Sequence, residues 1–479
     1  MPEHVSRAEL DRIVAVQRKA FRAEGLPSAE VRRNRIDRLV LAVLDAADDL
    51  AAALADDYGQ RPATVSKAFD IVPILGEAET LRTHVEEWMA PVTVEGPFPA
   101  FVQQHPLGVV GVVTAWNFPV HLAVTPALDA LAAGNRVIIK FTDVHERTGR
   151  VLARAVAAQL AEDEVVVVCG DVQTAQEFSD LPLDRILFTG SPAVGRKVAE
   201  AAGRNLVPVT LELGGKNPVV VAPDADMDLA AHRVAATRMV NGGQVCLCPD
   251  YVFVPREHGE EFTGKLRDAL ARLFPTYTDN PAAVSLVNDR NFDRVVGLID
   301  DAVAKGARKI TAVDEQPSRA KRLIPPALLL DVPDEARIAD EEIFGPVLPV
   351  YFYDTAEEPI AHINARPAPL AAYWYGEDGK EFRHFLDATT SGGVTRNDAF
   401  LHINAAAPFG GVGGSGYGAY SGKAGFDEFT HRRVVATQTG PVATSEGLVG
   451  SPLLAPETEA GVGALLAGAA AELRARLGQ

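Results

Sequence analysis

The sequence predicts an α/β protein made of two units, each a largely parallel sheet covered by helices, with a smaller β element beside them. Three observations predict it. First, the β-branched runs VVGVVTAW, RVIIKF, EVVVVCG, DRILFTG and LVPVTLELGG include helical stretches such as HERTGRVLARAVAAQLAE and SPAVGRKVAEAAGR between them. Parallel strands need a crossover long enough to hold a helix, so this alternation reads as a nucleotide-binding type of sheet. Second, another strand-and-helix series begins near NPVVVAPDADMDLA and continues past RLIPPALLLDVP and PVLPVYFYD. Third, 479 residues accommodate two such units, and no internal repeat or low-complexity linker suggests another division.

The first 90 residues read as helical. Val31, Ile36, Leu39, Val40, Val43, Leu44, Ala47, Leu50 and Leu54 recur at helical spacing, with Ser28 as N-cap and Gly59 as stop. After Pro91 the segment VTVEGPFPAFVQQHP changes to extended chain and turns. From Val434 the chain is Ala/Gly-rich and closes in a short helical segment, VGALLAGAAAELRARLGQ. The most apolar long stretch, Leu107 to Leu131, is interrupted by Asn117, Pro119, His121, Pro126 and Asp129, so it makes a poor membrane span. No apolar signal core is present, and a cytoplasmic protein is expected.

Composition excludes several classes. The chain has 46 Lys and Arg against 64 Asp and Glu, a net charge of −18 that repels phosphate backbones and anionic lipid. No nucleic-acid or membrane partner is expected. Three cysteines, Cys169, Cys246 and Cys248, are too few for a disulfide framework. One Cys-x-Cys without a nearby His pair also falls short of zinc ligation, so no metal is expected.

Cys246 lies in MVNGGQVCLCPDY, where Gly242 and Gly243 let the backbone approach a small molecule and leave amides to point at it. A packed thiol is the ordinary alternative, and it is the reading kept for Cys169. Glu212, inside the apolar run TLELGG, is either a solvated strand end or a desolvated carboxylate suited to general-base work. Asn117, ahead of Pro119, is a turn residue or an oxyanion donor. Lys140 ends the strand RVIIK and is either at the ligand crevice of a βα fold or a solvated strand end. In FTGSPAVG, Gly190, Ser191 and Gly195 sit at a strand-to-helix turn, a weak anion-binding signal that matches neither GxGxxG nor the GxxxxGK[ST] loop.

Taken in order, these segments resemble the aldehyde dehydrogenase superfamily over nearly the whole chain. TAWNFPV is similar to the family's Asn-bearing loop and RVIIKFTD to its Lys-Pro-Ser-Glu strand end. FTGSPAVG is similar to its cofactor turn, LELGGK to its glutamate motif and NGGQVC to its cysteine motif, while EEIFGPVLPV and PFGGVGGSG supply further blocks. The stretch from SGGVTRNDAF to FDEFTHRR looks most like the class 3 branch. YGQR and GQVCLCPDY look closest to bacterial coniferyl-aldehyde dehydrogenase-like members of it.

The resemblance implies a Rossmann-like cofactor domain over residues 1–91 and 107–211 and a catalytic domain over 212–412. It also implies a bridging hairpin over 92–106 and a C-terminal dimerisation tail over 431–479. Cys246 would attack the aldehyde carbon, Asn117 and the Cys246 amide would hold the oxyanion, and Glu212 would activate the hydrolytic water. Trp116, Lys140, Asp143, Gly190, Ser191, Gly195, Glu342 and Phe344 would serve the cofactor, NAD in preference to NADP. The expected partner is a small-molecule aldehyde, aromatic or medium-chain, and the expected assembly a homodimer. Phe141 stands where Pro is usual and Asp143 where Glu is usual; Val245 precedes the thiol, Cys248 is an extra one, and Ser421 replaces a His. Two alternatives are a CoA-acylating relative, which Glu212 argues against, and a catalytically silent binding or structural protein on the same fold.

Overall fold

In a computed structural model, residues 4–96, 98–439 and 455–479 are described. They divide into two units, one spanning residues 1–89 and 105–431 and the other 90–104 and 432–479. The first unit opens on the helix Arg7–Glu24, followed by Ala29–Asp45, whose N-cap Ser28 accepts from the Val31 amide. The single periodic run from Val31 to Leu54 becomes two helices, because the chain kinks at Ala46 (φ −98°, ψ 8°) before Ala47–Tyr58. Periodicity does not reveal the kink, since Leu39, Val43, Leu50 and Leu54 face one core on both sides of it. Gly59 (φ 83°) stops the second helix as expected. A π-helical turn, Lys67–Ile71, then leads into the helix Val72–Met89.

The strands follow in chain order. β1 (Val92–Val94) and β2 (Ala100–Pro106) pair antiparallel. β3 (Val109–Val113), β4 (Arg136–Lys140), β5 (Val165–Val168), β6 (Arg185–Gly190) and β7 (Val209–Leu213) form the body of a six-stranded sheet. β8 (Pro218–Val221), β9 (Tyr251–Pro255), β10 (Arg308–Thr311), β11 (Ala327–Leu330), β12 (Val347–Tyr353), β13 (Ala371–Tyr375) and β14 (Gly393–Arg396) form a seven-stranded sheet. β15 (Gly416–Tyr417) returns to the first sheet, antiparallel to β7, and β16 (Thr430–Ala436) joins β2. The orders are β15-β7-β6-β3-β4-β5, β10-β11-β12-β9-β8-β13-β14 and β1-β2-β16. Apart from the edge pairs β15–β7 and β10–β11, the two large sheets are parallel.

β3 and β4 are buried along their whole length, which is why they read as continuous apolar runs. Val110 and Val112 join the core under the helices Pro119–Ala132 and Glu146–Gln159. Val109 and Val113 join a second core, with Leu10 and Ile13 of the first helix and Phe178 and Val198 of later ones. The first sheet is thus covered on both faces, and ligand access falls to its strand ends. In the second unit the helix Pro456–Arg476 includes most of the expected terminal segment. Residues 440–454 of the expected tail lie outside the described residues. Among those described, no helix is long and apolar enough to cross a membrane.

Candidate active site

The carboxyl ends of the six-stranded sheet gather most of the candidate residues. β3 runs into Trp116 and Asn117, β4 ends on Lys140 and β6 ends on Gly190. On β7, Glu212 lies opposite Thr189. Parallel register therefore brings residues distant in sequence to one edge.

Cys246 follows a turn with three successive left-handed residues: Asn241 (φ 51°), Gly242 (φ 65°) and Gly243 (φ 78°). At Gly243 a Cβ would also lie 2.3 Å from the Gly345 carbonyl, so both conformation and space demand glycine there. Buried amides hold this turn. Gln244 donates to the carbonyls of Asn241 (2.9 Å) and Ser285 (3.1 Å) and accepts from the Val287 amide (3.0 Å). Asn217 donates to the carbonyls of Cys246 (2.7 Å) and Cys248 (3.0 Å) and accepts from the Ala371 amide (2.9 Å). Asn117 donates to the Gln244 carbonyl at 3.2 Å, which leaves its second N–H free. The Cys246 amide likewise finds no acceptor among the described residues.

The three thiols differ. Cys246 is half-buried and opens onto a cavity, whereas Cys248 is buried and directs its Sγ to the Thr237 carbonyl at 3.3 Å. Burial pushes the Cys248 thiol up to about 12. It also raises Cys246, which the nearby Glu212 and Glu342 carboxyls raise further. Cys169 is half-buried, its Sγ filling the space a Cβ at Gly149 would need.

Glu212 is the desolvated alternative rather than the solvated one. It is buried, neither oxygen has a hydrogen-bond partner among the described residues, and burial raises its pKa to about 7. The Cys246 thiol and Thr189 hydroxyl, close by but outside hydrogen-bonding geometry, offset part of that rise. Glu342 is raised to about 8, by burial first and Asp250 second. Its Oε1 accepts from the Gly215 amide at 3.3 Å, and a Cβ at Gly214 would sit 2.3 Å from its Oε2. The paired glycines of LELGG therefore make room for this carboxylate. Arg294 pins the loop by donating to the carbonyls of Glu342 (2.9 Å) and Ile343 (2.6 Å). Phe344 (φ 49°) meets Trp116 edge-on, with centroids 5.3 Å apart.

Cys246 and Glu212 share one cavity of about 340 Å³, walled by Phe69, Phe118, Phe400, Phe409 and Tyr420. Further along the sheet edge, Lys140 is buried and donates to the carbonyls of Phe141 (2.7 Å) and Gly170 (3.0 Å), and burial lowers its pKa. Asp143 is half-exposed nearby. Ser191 caps the helix Pro192–Gly203, and Leu213 occupies the space a Cβ at Gly195 would need. Glu212, Asn117, Glu342 and the Phe344–Trp116 pair thus gather around Cys246; Gly190, Ser191 and Gly195 follow at the end of β6, beside β7, and Lys140 and Asp143 at the end of β4, on the far side of β3.

The sequence reading missed Asn217, Gln244 and Arg294. The first two carried a signal, as amides beside glycines in GGKNP and NGGQVC; Arg294, in an exposed-looking helix, carried none. It also missed Val172 and Val194, apolar residues at the starts of neighbouring helices that remain 58% and 47% exposed.

The aldehyde dehydrogenase family model matches residues 2–435. A probable coniferyl aldehyde dehydrogenase of Caulobacter vibrioides is 42% identical over 90% of this chain and 92% of its own length. A dimeric, NADP-preferring aldehyde dehydrogenase of Rattus norvegicus is 36% identical over 87% of this chain and 92% of its own. Among solved structures, a substrate-bound Staphylococcus aureus AldH aligns with TM-score 0.87 at 29% identity, covering 95% of this chain and 99% of that one. A Mycobacterium tuberculosis aldehyde dehydrogenase complexed with NAD+ aligns with TM-score 0.83 at 29% identity, covering 92% of both chains.

The Asn217 clamp gives a direct test. Asn217→Ala strands two buried carbonyls and one buried amide and should cost about 2–4 kcal/mol of stability. Asn217→Asp keeps the acceptor for Ala371 but turns a buried carboxylate oxygen on the two carbonyls, so it should cost at least as much. Calorimetry checks this; an unchanged Tm in Asn217→Ala would remove the clamp.

Proposed function

The chain belongs to the aldehyde dehydrogenase family, whose members oxidise aldehydes with NAD(P), and on that premise we propose that it converts an aromatic aldehyde to its carboxylic acid through Cys246. The observation that carries this reading is the single cavity holding the half-buried Cys246 and the desolvated Glu212 inside an aromatic wall. The name of the Caulobacter relative points the same way.

At rest the Cys246 thiol stays protonated, because burial and two neighbouring carboxyls oppose the thiolate. Glu212 lies beside it with a pKa of about 7 and takes its proton as the sulfur adds to the aldehyde carbon. The resulting oxyanion is held by the free N–H of Asn117 and the amide of Cys246. NAD(P) supplies the hydride acceptor. With the cofactor bound, that carbon would give up hydride to it and become a Cys246 thioester; Glu212 releases the first proton to solvent, then takes one from the water that attacks the acyl carbon and passes it to the departing Cys246 sulfur as the acid is released.

The chain's own residues fit such a cofactor. Glu342, seated over Gly214, and Phe344 with Trp116 would hold its nicotinamide half. The turn Gly190–Ser191, with Gly195 drawing the helix close to β7, would face its pyrophosphate. Lys140, with one N–H left after two carbonyls, and Asp143 would meet the adenosine ribose, and Val172 and Val194 would cover the adenine faces. Residues 1–91 and 107–211 would thus bind the cofactor and 212–412 carry the chemistry.

One set of variants tests the thiol and the base. Cys246→Ala should form no NADH, while Cys248→Ala should keep most turnover, since its thiol faces Thr237 and not the cavity. Glu212→Gln is still expected to release a slow NADH burst through water-borne proton loss and then stall at the thioester. In the native enzyme, kcat should rise with pH through about 7 and level off above it, because Glu212 acts as the deprotonated base. Rapid-mixing absorbance reads all of these. Equal loss in both cysteine variants, or an unaltered steady state in Glu212→Gln, would overturn the assignment.

Cofactor preference rests on Asp143. A carboxylate at the ribose accepts from both hydroxyls and repels a 2′-phosphate, so NAD should be favoured over NADP by about ten-fold in kcat/KM. Asp143→Ala should shift that ratio toward NADP; a ratio left untouched would place Asp143 away from the ribose.

The assembly proposed is a homodimer, supported by the dimeric rat relative and by the class 3-like tail. Light scattering should give twice the 51.0 kDa chain mass, and a stable tetramer would refute it.

A further inference from the structure

The helix Pro119–Ala132 is apolar except for His121, Thr125 and Asp129. Their spacing of i, i+4 and i+8 places them along one side. His121 and Thr125 line the cavity that holds Cys246, as do Glu77 and Ser421. Most of this polar stripe is already engaged. Glu77 accepts from the Ser421 hydroxyl (2.5 Å) and the Gly422 amide (2.6 Å), and Asp129 accepts from the Ser421 amide (3.0 Å). Thr125 Oγ1 lies 3.1 Å from His121 Nδ1, which orients the ring.

His121 Nε2 has no partner among the described residues. Burial lowers the pKa of the imidazole to about 4, so near neutral pH it is uncharged. An uncharged imidazole nitrogen suits a hydroxyl or ether oxygen better than a carboxylate, which needs a cation for its desolvation. The surrounding phenyl rings suit a flat apolar body.

We propose that His121 is a specificity-determining residue, whose Nε2 hydrogen-bonds a hydroxyl or alkoxy oxygen on the ring of an aromatic aldehyde bound with its carbonyl at Cys246. The inference rests on the aromatic-aldehyde reading and narrows it to ring-oxygenated substrates.

The experiment compares kcat/KM for cinnamaldehyde and 4-hydroxycinnamaldehyde. The native enzyme should favour the hydroxylated substrate by about ten-fold, the effect of one buried hydrogen bond. In His121→Leu the ratio should fall to about one, the loss falling chiefly on 4-hydroxycinnamaldehyde, because the polar contact is lost. His121→Gln should retain part of the preference. Thr125→Val frees the ring without removing it and should lower the ratio by roughly three-fold; it decides the matter if His121→Leu does not fold. A native ratio near one, or an undiminished ratio in the folded variants, overturns the role of His121 while brisk cinnamaldehyde oxidation leaves the aromatic reading standing. If hexanal is oxidised and neither aromatic aldehyde is, both fall together.

Discussion

The site depends on a turn that the chain would not adopt by itself. Three left-handed residues in a row, Asn241 to Gly243, carry the backbone past the Gly345 carbonyl with no room for a side chain at the third. Such a conformation persists only when its surroundings over-determine it. Here buried amides do so: Gln244 ties the turn to Ser285 and Val287, and Asn217 ties the Cys246–Cys248 segment to β13 through Ala371. Asn117 closes the arrangement from the other sheet by donating to the Gln244 carbonyl. The position of Cys246 is therefore a property of both sheets at once.

That placement creates an electrostatic conflict, and the conflict is chemically useful. Glu212 and Glu342 both lie near Cys246, and burial opposes charge on all three. A carboxyl with a pKa of about 7 exchanges protons readily near neutral pH, whereas an ordinary surface carboxylate would be a much weaker base. The cost is two Glu212 oxygens without hydrogen-bond partners among the described residues, a destabilising feature of the kind that clusters at functional sites. Cys248 shows the contrast. Two residues away and more deeply buried, it has a carbonyl partner and faces away from the cavity, so it packs as a small apolar group.

The helix Pro119–Ala132 joins support and recognition. Its apolar residues cover β3 and β4, and its start is held by Asp70, which accepts from the Val120 amide at 3.1 Å. Asp70 is in turn paired with the fully buried Arg61 at 2.8 Å. Tyr58 adds hydrogen bonds to the carbonyls of Trp116 (3.2 Å) and Asn117 (3.1 Å). The YGQR segment therefore acts on the loop that carries Asn117, although it contains no group of the cavity wall itself. The same helix turns His121 and Thr125 toward the cavity, so the element that completes the core also furnishes its polar face.

Much of this was legible in one dimension. Alternating β-branched runs and helical stretches determine a parallel α/β architecture, because the crossover rule leaves few other ways to bury both faces of β3 and β4. Ordered motifs singled out Cys246, Glu212 and Asn117, since a thiol among glycines and a carboxylate in an apolar strand are unusual enough to stand out. What periodicity could not register was the kink at Ala46, where the apolar stripe continues through the break. Only the tertiary structure decided whether Glu212 was solvated, which carbonyls Asn217 and Arg294 hold, and that His121 faces the same cavity as Cys246. The reason is physical: desolvation and hydrogen-bond partnership depend on groups more than a hundred residues away in some cases, and local sequence carries no record of which of them arrive.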